Sequence, residues 1–345
     1  MNCADARRVR ADFRWQLLTT ACAVALCAPL ASANDAHAFD LNNLGQFSLT
    51  VGGMWEQTTG GSTDWSAEQF LGKAAPGFTL ADRSPFKIAP PVSWDYDARE
   101  TFEPAGTAWV FAAAVRYGRS RTAHKTANET FPTSPPGTGA AAAAVPAAAG
   151  NYHGTYSATA SHNETHIIAD FEVGRDFGLG LWDGRASSVL SLGARYVRFS
   201  GHTAVNFNTV TKYATKIGTR NIVREFTGVG PRISWDGSAP IWRGAGLFID
   251  AGADGAFLFG RQTATIDETY TVGAGYSHPR RKTAIVKNFG GFAALSWKPF
   301  HQAAKLSLGY RADLFFHALD GGDAAAHEID RSFFGPFVQI GIQTR

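Results

Sequence analysis

The segment 164–177, ETHIIADFEVGRDF, alternates apolar with polar or charged side chains over most of its length. The apolar residues share one parity and the polar residues the other: Ile167, Ala169, Phe171 and Val173 against His166, Asp170, Glu172 and Asp176. Because successive side chains of a strand point to opposite faces, this period of two indicates a β-strand with one apolar and one polar face.

The same two-faced pattern recurs at 304–317, AKLSLGYRADLFFH, and at 186–199. In a soluble β-sandwich the apolar face of such a strand packs inward. In an outer-membrane barrel the apolar face meets lipid and the polar face lines the interior. Three features favour the barrel. The polar faces carry paired charges together with Gly, the connections alternate between short and long, and aromatic residues lie near the strand ends. These aromatic residues are Trp55, Trp109, Tyr117, Trp235, Phe257, Phe259 and Trp297.

The pattern therefore predicts an all-β fold, a transmembrane antiparallel β-barrel of ten strands, with eight or twelve strands as alternatives. The predicted strands are 47–57, 92–102, 107–119, 164–177, 186–200, 222–236, 243–260, 284–297, 304–317 and 331–343. The long connections, predicted as outer loops, are 58–91, 120–163, 201–221, 261–283 and 318–330. The short connections and both chain termini are assigned to the periplasm, because an even number of strands returns the chain to the side where it began.

The composition agrees with this fold class. Among 345 residues there are 37 Gly, 12% aromatic residues and 18% charged residues, and the mean hydropathy is −0.13. These values exclude a bundle of transmembrane helices and do not suit a disordered chain. A net charge of +3 gives no reason to expect nucleic-acid binding. The low-complexity stretch 137–150, GTGAAAAAVPAAAG, falls in the second predicted outer loop and is interpreted as a surface loop.

Residues 1–38 have the pattern of a secretory signal peptide. Four arginines between positions 7 and 14 precede a largely apolar run, and 31–33 and 36–38 are A-x-A cleavage signals. Cleavage is predicted after Ala33 or Ala38, which leaves 39–345 as the barrel. The cysteines of the chain, Cys3, Cys22 and Cys27, all lie in this segment. The mature chain would therefore contain neither a thiol nucleophile nor a cysteine-bound metal.

If the apolar faces meet lipid, the polar faces collect a nearly balanced set of acids and bases in the barrel interior. The candidate lumen-lining residues are Asp95, Asp97, Arg99, Arg116, Asp170, Glu172, Arg195, Arg232, Asp250, Asp254, Lys305, Arg311 and Asp313, with Asp176 and Arg224 in the same set. A ten-stranded lumen is narrow and unpaired charges in it are costly. Two interpretations remain open: a salt-bridged plug, and a water-filled conduit without readable ion selectivity.

The sequence predicts no catalytic residue, no metal site and no cofactor. His162 and His166 flank Asn-Glu-Thr, but four residues of a strand span roughly 13 Å, too far for one metal ion. Ten strands is also the size of the omptin surface proteases, which need Asp and His together at the outer rim. No Asp is expected at matching depth opposite His124, His202 or His317, so a rim-located hydrolase is the least favoured function.

Several strand segments rich in Gly and aromatic residues resemble a known family. They are HIIADFEVGRDFGLG (166–180), LSLGARYVRFSG (190–201), FTGVGPRISWDG (226–237), LSLGYRADLFF (306–316) and FFGPFVQIGI (333–342). These segments are similar to the paired strands of the Legionella-type major outer membrane protein family over about 164–343, and 92–102 with 109–119 extend the likeness. That family is described as pore-forming proteins of the outer membrane, so the resemblance implies a pore without catalytic residues.

The predicted function is a porin-like barrel in the outer membrane of a Gram-negative bacterium that passes small solutes or ions. The alternative is a structural or surface-interaction barrel whose lumen is closed by charges. The expected partners are outer-membrane lipid, lipopolysaccharide and the barrel assembly machinery, while the oligomeric state is not predicted. Arg280, Arg281 and Lys282 form either a solvated loop or a contact for lipopolysaccharide phosphates.

Overall fold

The computed structural model describes residues 45–60, 63–65, 86–132, 153–178, 186–210, 215–242, 245–271, 275–299, 303–321 and 328–343. All of them belong to the unit Gly45–Arg345. The predicted signal peptide and the low-complexity stretch 137–150 lie outside the described ranges. In the described part of the chain, no helix has the length and hydropathy needed to cross a membrane.

The described residues form thirteen β-strands. They are β1 (Gly45–Thr59), β2 (Thr63–Trp65), β3 (Phe86–Ile88), β4 (Ser93–Pro104), β5 (Trp109–Ser120), β6 (Ala123–Pro132), β7 (His153–Asp176), β8 (Ser187–Val210), β9 (Thr215–Trp242), β10 (Leu247–Tyr270), β11 (Tyr276–Trp297), β12 (Ala304–Asp320) and β13 (Glu328–Gln343). β2 and β3 pair only with each other. The other eleven strands form one antiparallel sheet.

The eleven-stranded sheet closes on itself like a ring. Its order is β5-β4-β1-β13-β12-β11-β10-β9-β8-β7-β6, and β5 also pairs with β7. β5 pairs with the C-terminal half of β7, from Trp109↔Arg175 to Arg119↔Thr165. β6 pairs with the other half, from Ala123↔His162 to Pro132↔His153. Ring closure satisfies the backbone hydrogen bonds of these strands within the sheet, which a strand in lipid requires.

Each of the ten predicted segments contains most of, or part of, one strand of the sheet, but the sheet holds an eleventh strand, β6, in a segment predicted as an outer loop. The predicted loops 201–221 and 261–283 are also strand for most of their length. The connections there are only 211–214 and 271–275, since β8, β9, β10 and β11 run on to meet them. The strict alternation of short and long connections is therefore wrong at these two hairpins.

The reason for this error is that the strands reverse their polarity. Along β8, Leu190 and Leu192 are exposed on the outer face while Arg195 is buried on the inner face. Beyond Phe199 the inner face becomes apolar, with Val205 and Phe207 buried at 1% and 2% exposure. Along one strand the apolar residues therefore change from the outward-facing parity to the inward-facing parity, although the period of two continues. A sequence pattern that requires apolar residues at one parity throughout ends the strand at this change.

The outer face of the barrel carries an apolar belt. Trp109 near one end of β5 and Tyr117 toward the other are exposed, as are Phe111 between them and Trp55 and Trp94 on the neighbouring strands. The eight residue-to-residue steps from Trp109 to Tyr117 cover about 26 Å along a strand, comparable with the roughly 25 Å apolar band of outer-membrane barrels. All seven aromatic residues predicted near strand ends are exposed: Trp55, Trp109, Tyr117, Trp235, Phe257, Phe259 and Trp297.

Beyond this belt the sheet continues as a taller wall with a polar outer face, here called the outer extension. It consists of β6 and the ends of β7 to β11 that are joined by 133–152, 211–214 and 271–275. Its inner face holds an apolar cluster in which Tyr156, Val205 and Phe207 are joined by Ile88 of β3. The outer extension is therefore built like a soluble protein, whereas the belt region has the opposite polarity.

The two regions should respond differently to a charge placed on the outer face of β9. Ile233→Arg lies in the belt, where Ile233 is 51% exposed, and should lower the free energy of unfolding in lipid vesicles by about 2–4 kcal/mol. Thr227→Arg lies on the same face beyond the belt and should change it by about 0–1 kcal/mol. Urea titration monitored by tryptophan fluorescence measures both, and equal effects would contradict the placement of the belt.

Candidate functional site

The interior of the belt region is filled by charged side chains, and Arg195 of β8 lies at their centre. Arg195 is 1% exposed. Its Nε and Nη2 donate to the two carboxylate oxygens of Asp170, at 2.7 and 2.8 Å, and its Nη1 donates to Asp254 Oδ1 at 2.6 Å. Asp170 is its register partner on β7. A guanidinium that meets one carboxylate in this bidentate way is held in a fixed orientation.

Arg232 of β9 links the same carboxylates to a further one. Its guanidinium contacts Glu172 through Nη1, Asp254 at 3.3 Å and Asp170 at 3.7 Å. Ser234 also donates to Glu172, at 2.6 Å. Two arginines therefore share three carboxylates on β7 and β10, and the group forms a network rather than a set of separate pairs.

Two further arginines reach across the lumen. Arg116 of β5 binds Asp313 of β12, with Nη1 and Oδ2 2.5 Å apart. Arg99 of β4 binds Asp236 of β9 at 3.1 Å and lies 4.0 Å from Glu172. These contacts join strands that are not neighbours in the sheet, so they brace opposite walls of the barrel.

The remaining candidate residues lie nearer the end of the barrel where a short connection joins β4 to β5, here called the short-turn end. Lys305 contacts Asp250 at 2.5 Å. Arg311 lies 4.0 Å from Asp97 and its guanidinium carbon is 5.2 Å from the Phe337 ring centroid. Gln339 also donates to Asp97. These groups extend the polar interior to the strand ends.

The structure thus brings twelve of the thirteen candidate lumen residues into ion pairs with one another or with Asp236. Asp95 is the exception, since its carboxylate faces His166. Asp176 accepts hydrogen bonds from the backbone N–H groups of Gly178 and Ser188 and so caps the turn after β7. Arg224 is buried beside the carbonyl of Gly321, above the network.

A cavity of about 310 Å³ occupies the belt region beside this network. Arg99, Arg116 and Arg195 line it, and Glu103 and Ser238, which also line it, lie near the strand ends at the short connections. The cavity therefore extends from the ion-pair network to the short-turn end of the barrel.

An aromatic layer lies inside the barrel on the other side of the network. Phe199, Phe226, Phe315 and Phe333 are each at most 2% exposed and belong to one buried apolar cluster. Phe199 is the hub, with ring centroids 4.8 Å from Phe315, 5.3 Å from Phe333 and 6.1 Å from Phe226. These separations are those of aromatic rings in contact, so the four rings form one packed layer inside the barrel.

A bulge in β12 helps to build the aromatic layer. The register with β13 shifts between Phe315 and Leu319, and His317 adopts φ 56°, a left-handed conformation that is uncommon for a non-glycine residue. Its backbone N–H donates to Asp330 Oδ1 at 2.8 Å. The bulge allows Phe315, Ala318 and Leu319 to join the same buried cluster.

Sequence reasoning missed a second charged group, which lies between the aromatic layer and the outer extension. Arg331 is 2% exposed and forms an ion pair with Glu164, and His162 is fully buried with Nδ1 2.7 Å from Thr203 Oγ1. The inward parity of these residues was readable from sequence, but they fall in or beside segments predicted as loops.

Tyr270 lies at the rim of the outer extension, where its hydroxyl donates a hydrogen bond to the Glu268 carboxylate. Burial and this carboxylate raise the pKa of Tyr270 to about 12.

The closed antiparallel ring, the apolar belt and the charged interior define an integral outer-membrane β-barrel protein. The model of the family described as the Legionella pneumophila major outer membrane protein precursor matches residues 123–344. This chain belongs to that family, as its strand segments led us to expect.

Among solved structures, the outer membrane protease OmpT from Escherichia coli is similar at 8% identity and a TM-score of 0.49, over 87% of this chain and 97% of that chain. The toluene transporter TbuX of Ralstonia pickettii is similar at 8% identity and a TM-score of 0.22, over 88% and 90%. The transport unit of the autotransporter AIDA-I from Escherichia coli gives 6% identity and a TM-score of 0.23, over 90% and 94%. No curated protein matches the chain.

Removal of Arg195 should be strongly destabilising. Arg195→Met leaves Asp170 and Asp254 without their nearest cation, which should lower the free energy of unfolding by about 3–5 kcal/mol. Arg198→Met is the matched control on the same strand, since Arg198 pairs with Glu225 and both side chains are 37% exposed. It should cost about 0–1 kcal/mol. Urea unfolding measures both, and similar losses would show that the network has no special weight.

Proposed function

We propose that this protein is a closed outer-membrane barrel with a structural or surface-interaction role. The observation that supports this proposal is the aromatic layer around Phe199, which lies directly above the ion-pair network of Arg195 and Arg232. A solute would have to part both layers to cross. Of the two interpretations that the sequence left open, the geometry therefore favours the plugged lumen over the conduit.

The wall of the barrel acts as ten strands in this proposal. β5 and β6 pair with consecutive halves of β7, and only Arg121 and Thr122 separate them, so they behave as one interrupted strand. With ten strands and short turns on the periplasmic side, both termini lie in the periplasm and the outer extension projects from the cell. The alternative counts of eight and twelve receive no support from this pairing.

The outer extension is the surface that a partner would meet. Its outer face is polar, and the strands that form it remain paired up to Val210↔Thr215 and Glu268↔Tyr276, beyond the belt. The basic triplet there is already engaged in part, because Arg280 pairs with Asp320 and Lys282 with Glu328. Within the triplet, only the residue Arg281 is exposed, and it lies on the outer face. Contact of the triplet with lipopolysaccharide phosphates would therefore be made by the Arg281 side chain.

A gated pore is the second candidate, and the cavity of about 310 Å³ favours it. This cavity already gives water access to the belt region from the short-turn end. Conduction would then require that the ion-pair network, the aromatic layer, the Arg331–Glu164 pair and the apolar cluster of the outer extension all separate. Export by a signal peptide, assembly by the barrel machinery and the lack of catalysis remain predictions under either function.

Planar bilayers should separate the two functions. Wild-type protein, purified and shown to be folded by heat-modifiable gel migration, should insert without discrete conductance steps, since the lumen is closed. The triple variant Phe199→Ala/Phe226→Ala/Phe333→Ala removes three rings of the aromatic layer and should give at most brief, small current steps, because the ion-pair network still fills the lumen. Uniform steps from the wild type would reject the closed barrel in favour of the pore.

A further inference from the structure

Three ionisable side chains meet inside the barrel apart from the Arg195 network. Glu56 lies on β1, Asp95 on β4 and His166 on β7. The register explains the meeting, because Asp95 lies opposite Gly118 of β5 and Gly118 lies opposite His166. One ligand atom from each of the three side chains can be chosen so that all lie within 4.8 Å of one another.

Gly118 makes this arrangement possible. A Cβ atom at position 118 would lie 2.0 Å from His166 Cε1 and 2.6 Å from its Nε2. The imidazole therefore lies flat across the backbone of β5, in the space that any other residue would fill. Because residue 118 has no side chain, the His166 imidazole can extend across β5 and face the carboxylates of Asp95 on β4 and Glu56 on β1.

The two carboxylates of this group are buried, and among the described residues the only side chain that forms an ion pair with them is the His166 imidazole. Glu56 and Asp95 are each 1% exposed and His166 is 5% exposed. Ser93 donates to Glu56 Oε1 at 2.7 Å. Among the described residues, Glu56 Oε2, both oxygens of Asp95 and His166 Nε2 have no hydrogen-bond partner. Buried polar atoms are rarely left in this condition.

The neighbouring guanidiniums are bound to other carboxylates. Arg116 pairs with Asp313 at 2.5 Å, and Arg331 pairs with Glu164. Neither forms an ion pair with Glu56 or Asp95 within the described part of the chain. Two buried carboxylates beside a neutral imidazole would carry a charge of −2, which a divalent cation would balance.

We propose that Glu56, Asp95 and His166 form a binding site for a divalent first-row transition-metal cation of the Zn²⁺ type. His166 Nε2 lies 3.4 Å from Glu56 Oε2 and 3.8 Å from Asp95 Oδ2. Ligands about 2.0–2.1 Å from a tetrahedral cation lie about 3.4 Å from one another. The two distances from His166 are therefore close to those that one shared cation requires, and all three ligand atoms lie within 4.8 Å of one another. Imidazole with carboxylate is a donor set that suits such metals.

A small cavity beside Glu56 and His166 has room for a fourth ligand of the proposed cation. It has a volume of about 10 Å³ and is lined by Ser93, Glu164 and Arg331 as well as by Glu56 and His166. That is about the room one water molecule needs. Three protein ligands and one water complete a tetrahedral shell.

His162, the other histidine of the H-N-E-T-H segment, does not belong to the site. Its Nδ1 contacts Thr203, and its Nε2 lies 3.0 Å from Glu164 Oε1. The contacts of His162 are thus separate from those of His166, and the other proposed ligands of the cation come from two other strands, β1 and β4. A bound cation would tie β1, β4 and β7 together just below Phe333, whose ring centroid is 4.3 Å from that of His166.

Zinc binding to the folded barrel tests the proposal. Mature protein without a polyhistidine tag is refolded in detergent with chelator, freed of chelator and dialysed against Zn²⁺. We expect one tightly bound equivalent per chain in the wild type and in the control H278Q, whose side chain is exposed. H166Q and D95N should each lose this equivalent, while weaker binding to surface histidines stays unchanged.

Folding and geometry are checked by separate measurements. Heat-modifiable gel migration and circular dichroism verify that each variant is folded. With Co²⁺ as the probe, the wild type should show the visible absorption of a four-coordinate ion, and H166Q should not. Gly118→Ala keeps all three ligands but displaces the imidazole, so it should weaken Zn²⁺ binding by about 10–100-fold, as loss of a positioning group does.

The opposite results would overturn the proposal. If the folded wild type retains no more Zn²⁺ than folded H166Q, the three side chains are an ion-paired cluster without a metal. If Zn²⁺ binds equally to wild type, H166Q and D95N, the ion resides on other histidines. If H166Q does not fold, the comparison is made between wild type and E56Q, which keeps the size of the side chain.

Discussion

The structure depends on one constraint: a strand in a closed sheet has two faces, and the belt leaves only one of them for charge. Lipid accepts Leu192, Ile233 and Leu308, whose side chains are more than half exposed on the outer face. The residues between them then point into a lumen too narrow to solvate them all. Arg195, Asp170, Glu172 and Arg232 consequently neutralise one another, and the same contacts that make these charges tolerable also fill the lumen.

The reversal of polarity along the strands marks where this constraint ends. Below Phe199 the sheet is apolar outside and charged inside, and above it Val205 and Phe207 form an apolar interior. The aromatic layer lies at the changeover. It lies between the cavity beside the ion pairs and the apolar cluster of the outer extension. The proposed closure of the lumen would therefore follow from the same change of surroundings that lengthens the strands.

The sequence was sufficient for features that depend on parity alone. The alternation in 164–177 and 304–317 predicts the strands and the inward direction of Asp170 and Lys305. It could not predict contacts such as Arg116 with Asp313, because these depend on which strands face each other across the ring. The parts of β8 to β11 in the outer extension were missed because their apolar residues face inward instead of outward. The contact of His166 with Asp95 was missed because it requires Gly118 on the strand between them.

The most direct test of the closed lumen is the accessibility of a single cysteine at Ala114, which lines the cavity on the short-turn side of the network. The three natural cysteines all precede position 28, so Ala114→Cys would carry the sole thiol of the mature chain cut after Ala33 or Ala38. A bulky, charged maleimide is added to intact cells and, separately, to cells with a permeabilised outer membrane. The closed barrel predicts labelling only after permeabilisation, and equal labelling of intact cells would contradict it.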